Sequence, residues 1–232
     1  MTPRERQLAA IRHQVPDRVA LDVMCFENTE FVAAMLGLPV DTERIYDRLG
    51  VDGRIIIAGE YSRPCPTGPQ GEPLTHWGTL EKLDYGTSHW YPLAQAATVA
   101  EIERHPWPDP ACFNYSAAAT LARNYATRYA VRGPGWSAGP LFCVTCNLMG
   151  MEEAMVKMVT EPAVFEACIE RVFEFSKAYM VRLMDACGDA LDILNVSDDF
   201  GTQRGLIMDP ALWRKFLLPR YAELFRLGKQ RG

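Results

Sequence analysis

The sequence predicts an α/β fold in which helices cover a parallel sheet, of the (β/α)₈ barrel type but incomplete. Short apolar runs typical of buried strands alternate along the chain with longer segments of helical periodicity. The clearest strand-like run, residues 190–197, ends in Asp198 and Asp199 and is followed by a polar loop and a helix. In such barrels the loops after the strand ends form the active site. We therefore expect the chemistry at this end of the sheet.

The helices are predicted from their end signals and apolar stripes. Thr2, Pro3 and Glu5 form a capping box and a favourable first turn, and Pro16 would end this helix. The longest helix begins at Pro162 and ends before Gly188. The apolar stripe of the first helix consists of Leu8, Ile11 and Val15, and that of the longest consists of Phe165, Ile169, Val172, Met180 and Leu183. Further helices are expected at 30–36, 42–49, 99–104 and 116–126 and after residue 209.

Four strands are predicted, at 18–26, 51–59, 129–132 and 190–197. A complete barrel has eight strands in typically ~250 residues, so four strands cannot close one. We expect residues 1–232 to be a partial barrel domain, either truncated or a half-barrel, whose exposed strand edge favours an oligomer or a completing chain. The Pro- and Gly-rich segment 60–110 is expected to be an elaboration on this domain, with a hairpin at 75–86.

The composition limits the classes of partner. A net charge of −5 and a pI near 5.5 argue against nucleic acid and anionic membrane surfaces, and no apolar run is long enough to span a membrane. Seven cysteines without scaffold-like spacing favour a reducing cytoplasm over a disulfide framework. We expect a cytoplasmic protein that acts on a small molecule.

Asp198 and Asp199 are the strongest candidates for catalysis. A carboxylate at a strand end can bind a cation, orient a ligand donor or move a proton. In the alternative interpretation, one acid caps the loop and the other pairs with Arg204. Gln203 and Arg204 in the same loop are candidate substrate-binding residues, and so is Glu60, which follows the second predicted strand.

Other candidate residues have weaker patterns. Cys143 and Cys146 have the spacing of a metal or redox pair, but a single pair without further ligands fits buried packing better. Three histidines are each more typical of a turn or surface residue than of a ligand: His76, His89 and His105. Four tryptophans in loop-rich segments would either wall a pocket or pack the loops, namely Trp77, Trp90, Trp107 and Trp136. The sequence has no Walker motif, dinucleotide fingerprint or nucleophile elbow, which argues against nucleotide hydrolases and esterases.

Three stretches carry a family resemblance: TPRERQLAAIRHQVPDRVALDV, LGVDGRIII and SDDFGTQRGLIMDPALWRKFLLPRYAELFRLGKQRG. They resemble the uroporphyrinogen decarboxylase superfamily, which includes the haem-pathway decarboxylase and corrinoid-dependent methyltransferases. The resemblance runs along the whole chain and corresponds to about the first two-thirds of a family member. It implies a (β/α)₈ barrel of the uroporphyrinogen decarboxylase type.

The departures from the decarboxylases bear on function. Their arginine-rich RQAGRY motif corresponds here to DVMCFENTEF, residues 22–31, which has no arginine to hold substrate carboxylates. Their GAPWTLASY segment resembles AGPLFCVTC, which places Cys146 at the family's tyrosine and makes it a candidate substrate-binding residue. Their FDSWAG resembles SDDFGT, so that Asp198 matches the family's aspartate and Asp199 replaces a serine.

The pattern is more similar to the methyltransferase and O-demethylase-like branch of the superfamily. The resemblance implies corrinoid-linked methyl transfer to a thiol activated by zinc, with a corrinoid protein as a partner. It places the zinc ligands of that branch beyond Gly232, so no metal ligand is assigned in this chain. The alternatives are tetrapyrrole carboxylate decarboxylation and, in another class, a non-catalytic corrinoid- or tetrapyrrole-binding subunit.

Overall fold

A computed structural model describes residues 1–80, 90–135 and 138–231 and confirms an α/β fold with helices and a small parallel sheet. The chain forms two compact units, and each is assembled from three stretches of sequence. The first unit comprises Met1–Ala58, Tyr115–Gly135 and Leu183–Asn195. The second comprises Gly59–Asn114, Trp136–Arg182 and Val196–Gly232. The parallel sheet belongs to the first unit, and every predicted site residue belongs to the second.

The helices of the described residues follow the predicted order closely. They are α1 (Pro3–Ile11), α2 (Thr29–Leu36), α3 (Thr42–Leu49), α4 (Val99–Glu103), α5 (Tyr115–Ala126), α6 (Leu141–Met149), α7 (Met151–Thr160), α8 (Pro162–Cys187), α9 (Pro210–Phe216) and α10 (Leu218–Lys229). Short 3₁₀ turns lie at Pro110–Cys112 and Gly188–Ala190. None of these helices is long and apolar enough to cross a membrane, among the residues the structure describes.

Helix α1 confirms the predicted capping box but ends earlier than expected. The Thr2 side chain accepts a hydrogen bond from the Glu5 N–H, and the Glu5 carboxylate accepts one from the Thr2 N–H. The helix ends at Ile11, before the predicted stop at Pro16. Val15 is 93% exposed, so its assignment to the apolar stripe was wrong.

The sheet has the strand order β1 (Gly53–Ile55), β2 (Ala130–Gly133) and β3 (Ile193–Leu194), with parallel neighbours. These strands fall within three of the four predicted runs or beside them, and each is short. Their carboxyl ends share one edge of the sheet, since the strands are parallel. A fourth strand at 18–26 was predicted, and the structure contradicts it.

The carboxylate of Asp52 explains why residues 18–26 do not build a ladder. Asp52 is fully buried just before β1, and its backbone N–H donates to the Leu21 carbonyl across 2.8 Å. Its side chain then accepts the Leu21 N–H at 2.9 Å and also binds Arg6 and Arg18. Because a carboxylate takes the Leu21 N–H that a ladder would use, the segment follows the sheet without becoming a strand.

Arg54 and its neighbours fix one face of β1. Its guanidinium is almost fully buried and pairs with Glu43 at 2.7 Å and Asp47 at 2.8 Å, both on α3. It also lies 3.7 Å from the ring centroid of Tyr129. A buried cation of this kind is tolerated because its donors are paired and a ring face is in contact with it.

A second buried arginine lies on β2. Arg132 Nε lies 2.8 Å from Asp22 Oδ2, and another guanidinium nitrogen donates to the Asn195 side chain. Gly53 of β1 leaves room for this group, because a Cβ there would come within 3.0 Å of Asp22 Oδ1. The first unit therefore carries an acid–arginine–amide cluster on its sheet.

The core of the second unit is aromatic. The His76 ring lies 5.3 Å from Tyr61 and 5.2 Å from Phe113, and Phe175 of α8 lies 4.5 Å from Trp77. His76 lies in a turn, as predicted. Its Nε2 is buried without a hydrogen-bond partner among the described residues, and desolvation lowers its pKa to about 4.

The described part of segment 60–110 contains α4 and isolated bridges, one of which joins Leu74 and Leu80. Trp77 and Trp107 pack edge to face at 6.3 Å, and the Trp90 indole donates to the Gly78 carbonyl at 3.0 Å. These three rings therefore pack against the loops. The remainder of the predicted hairpin, His89 and Trp136 lie outside the described residues.

Candidate functional site

Asp198 caps the first turn of helix α6. Its carboxylate accepts hydrogen bonds from the backbone N–H groups of Phe142, at 2.6 Å, and Cys143, at 3.1 Å. These are two of the N–H groups that a helix leaves unpaired at its start, and Pro140 at the cap position provides no side-chain acceptor. The acid expected to perform chemistry thus satisfies the start of a helix far away in sequence.

Tyr221 of α10 is the third partner of the same carboxylate. Its hydroxyl donates to Asp198 Oδ2, and its side chain is buried. Burial and the adjacent negative charge raise the pKa of Tyr221 far above its usual value, so the phenol remains protonated and donates. Asp198 therefore links the start of α6 to α10 within the second unit. Its carboxylate oxygens already accept several hydrogen bonds and have little capacity left for a substrate.

The two cysteines of the C-x-x-C motif lie on α6 within this network. Desolvation, followed by the charge of Asp198, raises the pKa of Cys143 to about 12. Burial raises the pKa of Cys146 as well, and its neighbours Cys143, Asp198 and Cys168 add to the effect. Both thiols are therefore protonated at neutral pH, because burial and, secondarily, the charge of the capping carboxylate oppose the ionisation that a helix start normally favours.

The family resemblance implies a zinc ion, for which cysteine side chains are suitable ligands. No group of three or more His, Cys, Asp or Glu side chains positioned to hold a metal occurs in the described part of the chain. Zinc in structural sites usually takes four ligands, drawn from Cys, His, Asp and Glu side chains. Because no third ligand accompanies Cys143 and Cys146 among the described residues, this pair does not by itself form a zinc site.

Asp199 differs sharply from its neighbour. It is exposed, and among the residues with described positions its carboxylate accepts one hydrogen bond, from the Gly201 N–H at 3.2 Å, which makes a local turn. Its backbone N–H donates to Asp198 Oδ1 at 3.1 Å. Of the two predicted catalytic acids, Asp199 is the one with an oxygen available to a ligand, and Asp198 holds the backbone that carries it.

The loop after the acids forms a small hairpin of β4 (Gly201–Thr202) and β5 (Gly205–Leu206). The Thr202 hydroxyl accepts the N–H groups of Arg204, at 3.1 Å, and Gly205, at 3.2 Å, and thereby closes the turn. Gln203 and Arg204 are exposed at its tip. Within the described ranges, Arg204 makes no ion pair with Asp198 or Asp199, so the acid–arginine pair of the alternative interpretation does not occur.

Glu60 follows β1 along the chain and is exposed. No hydrogen bond or ion pair joins it to Asp198, Asp199 or Arg204 among the residues with described positions. Its substrate-binding role, like that of Gln203, Arg204 and Cys146, therefore remains a prediction. Cys146 is 7% exposed on α6.

Sequence reasoning missed two residues that hold buried polar networks together. Tyr221 was treated as part of a helix, although a tyrosine on the helix after a strand-end acid is a suitable long-range donor. Arg132 was counted only as a strand residue. An arginine in an otherwise apolar strand was the signal that could have identified it, because a buried cation needs a partner acid such as Asp22.

Comparison with known proteins supports the fold. No protein-family model and no curated protein matches the sequence. Among solved structures, a methyltransferase from Methanosarcina mazei is similar in fold, with a TM-score of 0.58 and 16% sequence identity. The alignment covers 95% of this chain and 65% of the methyltransferase, so the chain spans less than two-thirds of that protein. At this identity the likeness is one of fold.

Proposed function

We propose that this chain acts in enzymatic methyl transfer, with β1–β3 belonging to a (β/α)₈ barrel of the uroporphyrinogen decarboxylase type. The fold likeness to a methyltransferase and the superfamily-like segment around Asp198 support the proposal. The observation that carries it is the different environment of two adjacent acids. The carboxylate of Asp198 accepts the N–H groups at the start of α6, and the carboxylate of the neighbouring Asp199 is exposed to solvent.

The proposed reaction moves a methyl group from a methylated corrinoid, bound as a substrate, to a thiol. The sulfur of the thiol forms the new bond to carbon, and the carbon–cobalt bond breaks with its electron pair left on the corrinoid. Asp199 accepts the proton that the thiol loses, as a general base in contact with the substrate. The acceptor thiol is not Cys143 or Cys146, because Cys143 is half-buried, Cys146 is buried and both have a raised pKa; we take it to be a small-molecule thiol from outside the chain.

Decarboxylation of a tetrapyrrole is less well supported. It requires arginines that hold substrate carboxylates, and residues 22–31 have none. Arg132 does lie beside Asp22, but its guanidinium is already paired with that acid and with Asn195. We expect no conversion of uroporphyrinogen by this protein.

The test is an assay with methylcobalamin and 2-mercaptoethanol, followed by the absorbance change of the corrinoid and by mass detection of the methyl thioether. We expect Asp199→Asn to reduce the rate about 100-fold or more, which is the range of a lost general base. Asp189→Asn is the matched control, because Asp189 is also exposed and lies outside the site.

Two outcomes would overturn the proposal. One is wild-type protein that produces no thioether, and the other is an Asp199→Asn variant with an unchanged rate. Cobalamin binding without any transfer would instead favour a non-catalytic corrinoid-binding role. The protonated thiols and the fully engaged Asp198 are the observations that favour this second candidate.

A further inference from the structure

A cavity of about 230 Å³ lies beside the hairpin of the second unit. Its volume is below the range of about 300–1,000 Å³ that accommodates drug-sized ligands, so it excludes a tetrapyrrole or corrinoid. Its lining residues come from the hairpin and from the start of α9, and they are Phe200, Leu206, Met208, Pro210, Trp213 and Arg214.

Local structure builds the apolar wall of this cavity. Asp209 caps α9 by accepting the Ala211 N–H at 2.7 Å, and Pro210 occupies the first helical position. This start of the helix positions Trp213, whose ring meets that of Phe200 edge to face at 6.1 Å. Two aromatic rings therefore form a wall that suits a flat or branched apolar group.

Arg214 gives the cavity a positive charge. Its side chain is exposed, and it makes no ion pair within the described ranges. The nearby acid Asp209 does not line the cavity, and its carboxylate is engaged by α9. The next cation along the helix, Lys215, lies 4.6 Å from the centroid of the Phe216 ring and is not part of the lining. The available charge is thus a single guanidinium with the geometry to pair with a carboxylate.

We propose that this cavity binds a small monoanionic carboxylic acid with an aromatic or branched aliphatic body. The carboxylate pairs with Arg214, and the body packs against Phe200 and Trp213. Apolar walls with a few polar groups that fix orientation are typical of small-molecule sites. The inference goes beyond methyl transfer and does not rest on it, because binding is measured without turnover.

The test uses benzoate as the probe and benzamide as its neutral analogue, titrated into the full chain by calorimetry. Benzoate is expected to bind at least about tenfold more tightly than benzamide, and Arg214→Gln is expected to remove this preference. Arg226→Gln is the matched control, since Arg226 is a surface arginine of α10 that is absent from the lining. It is expected to keep the wild-type preference.

A second readout locates the site. The Trp213 indole N–H is buried without a hydrogen-bond partner in the described part of the chain, so its NMR signal reports the surroundings of the ring. Trp213→Phe assigns the signal by removing it. Benzoate is expected to shift this signal in wild type and in Arg226→Gln.

Four results would contradict the proposal, three of them with the wild-type protein. The first is the absence of benzoate binding up to about 10 mM, a concentration at which the affinity would be negligible. The second is an equal affinity for benzoate and benzamide. The third is a Trp213 signal that does not shift at saturating benzoate. An Arg214→Gln variant that retains the benzoate preference would also overturn it. Because Arg214 is exposed, this variant is expected to fold as the wild type does.

Discussion

The backbone N–H of Phe142 donates a 2.6 Å hydrogen bond to the carboxylate of Asp198, across 56 residues of sequence. With the Cys143 N–H and the Tyr221 hydroxyl, it makes this acid a shared acceptor for the start of one helix and the body of another. Two adjacent acids that look equivalent in sequence therefore have different roles. Asp198 stabilises the start of α6, and Asp199 keeps an exposed carboxylate.

This division predicts opposite effects of removing each acid. Asp198→Ala leaves two helix-start N–H groups and a buried phenol without their acceptor, and we expect a loss of about 2–4 kcal/mol in the free energy of unfolding. Asp199→Ala removes only a local turn contact, and the expected loss is under about 1 kcal/mol. Urea denaturation measures both. A larger loss for Asp199→Ala than for Asp198→Ala would contradict the assignment.

The charge of Asp198 also predicts the reactivity of Cys143. With its pKa raised to about 12, this thiol should react with iodoacetamide about 100-fold or more slowly at pH 8 than the exposed Cys65. Asp198→Asn removes the negative charge, which lowers the pKa of Cys143 and should speed its alkylation about tenfold. Mass spectrometry of each cysteine gives the rates.

Tyr221→Phe controls this experiment, because it loosens the same hydrogen-bond network and keeps the charge. Its effect on Cys143 alkylation should be several-fold smaller than that of Asp198→Asn. Equal acceleration by both variants would mean that packing, and not charge, protects the thiol.

The buried ring of His76 predicts acid sensitivity. Desolvation lowers its pKa from 6.5 to about 4, so the unfolded chain binds a proton there before the folded chain does. Stability from this group is complete above pH 6.5 and is lost as the pH falls toward 4, by about 2 kcal/mol after allowance for partial exposure. His105, whose pKa desolvation also lowers, adds to the same trend.

Chemical denaturation at pH 7 and pH 4.5 measures the effect of His76. His76→Phe should reduce the difference in stability between the two pH values, whereas His13→Gln at an exposed position should leave it unchanged. An unaltered pH difference in His76→Phe would show that other groups cause the acid sensitivity.

The pair of Asp22 and Arg132 predicts strong coupling. Asp22→Asn leaves a buried guanidinium without its counter-charge, and we expect a loss of about 3–5 kcal/mol. Adding Arg132→Met to that variant removes the stranded charge, so the double variant should be more stable than Asp22→Asn alone. A double-mutant cycle in urea tests this, and additive losses would show that the two side chains are independent.

The sequence predicted well what nearby residues determine. Thr2 and Glu5 lie within one helical turn, so their capping box was visible, and Pro162 likewise marked the start of α8. The strand at 18–26 failed because Asp52, far along the chain, takes the Leu21 N–H. Hydrophobic pattern gives no information about a side chain that competes for a backbone donor.

The same limit applies to the candidate site. The segment that ends in Asp198 was identified as a strand end from its apolar run, and β3 lies within that run. Nothing local to Asp198 indicated that Phe142 and Tyr221 would saturate its carboxylate. The hydrogen bonds of Asp198 to Phe142 and Tyr221 span 56 and 23 residues and depend on tertiary packing. No periodic pattern in a single sequence reveals such contacts.

Gly53 makes the ion pair between Asp22 and Arg132 sensitive to the size of the residue at position 53. A Cβ at this position would lie about 3.0 Å from Asp22 Oδ1, so a side chain there would require the carboxylate to shift by a few tenths of an ångström. One added methyl group, in Gly53→Ala, would push that carboxylate sideways and loosen its grip on Arg132 without altering either charge. An uncharged substitution on β1 would thus weaken an ion pair that Arg132 makes on the neighbouring strand β2.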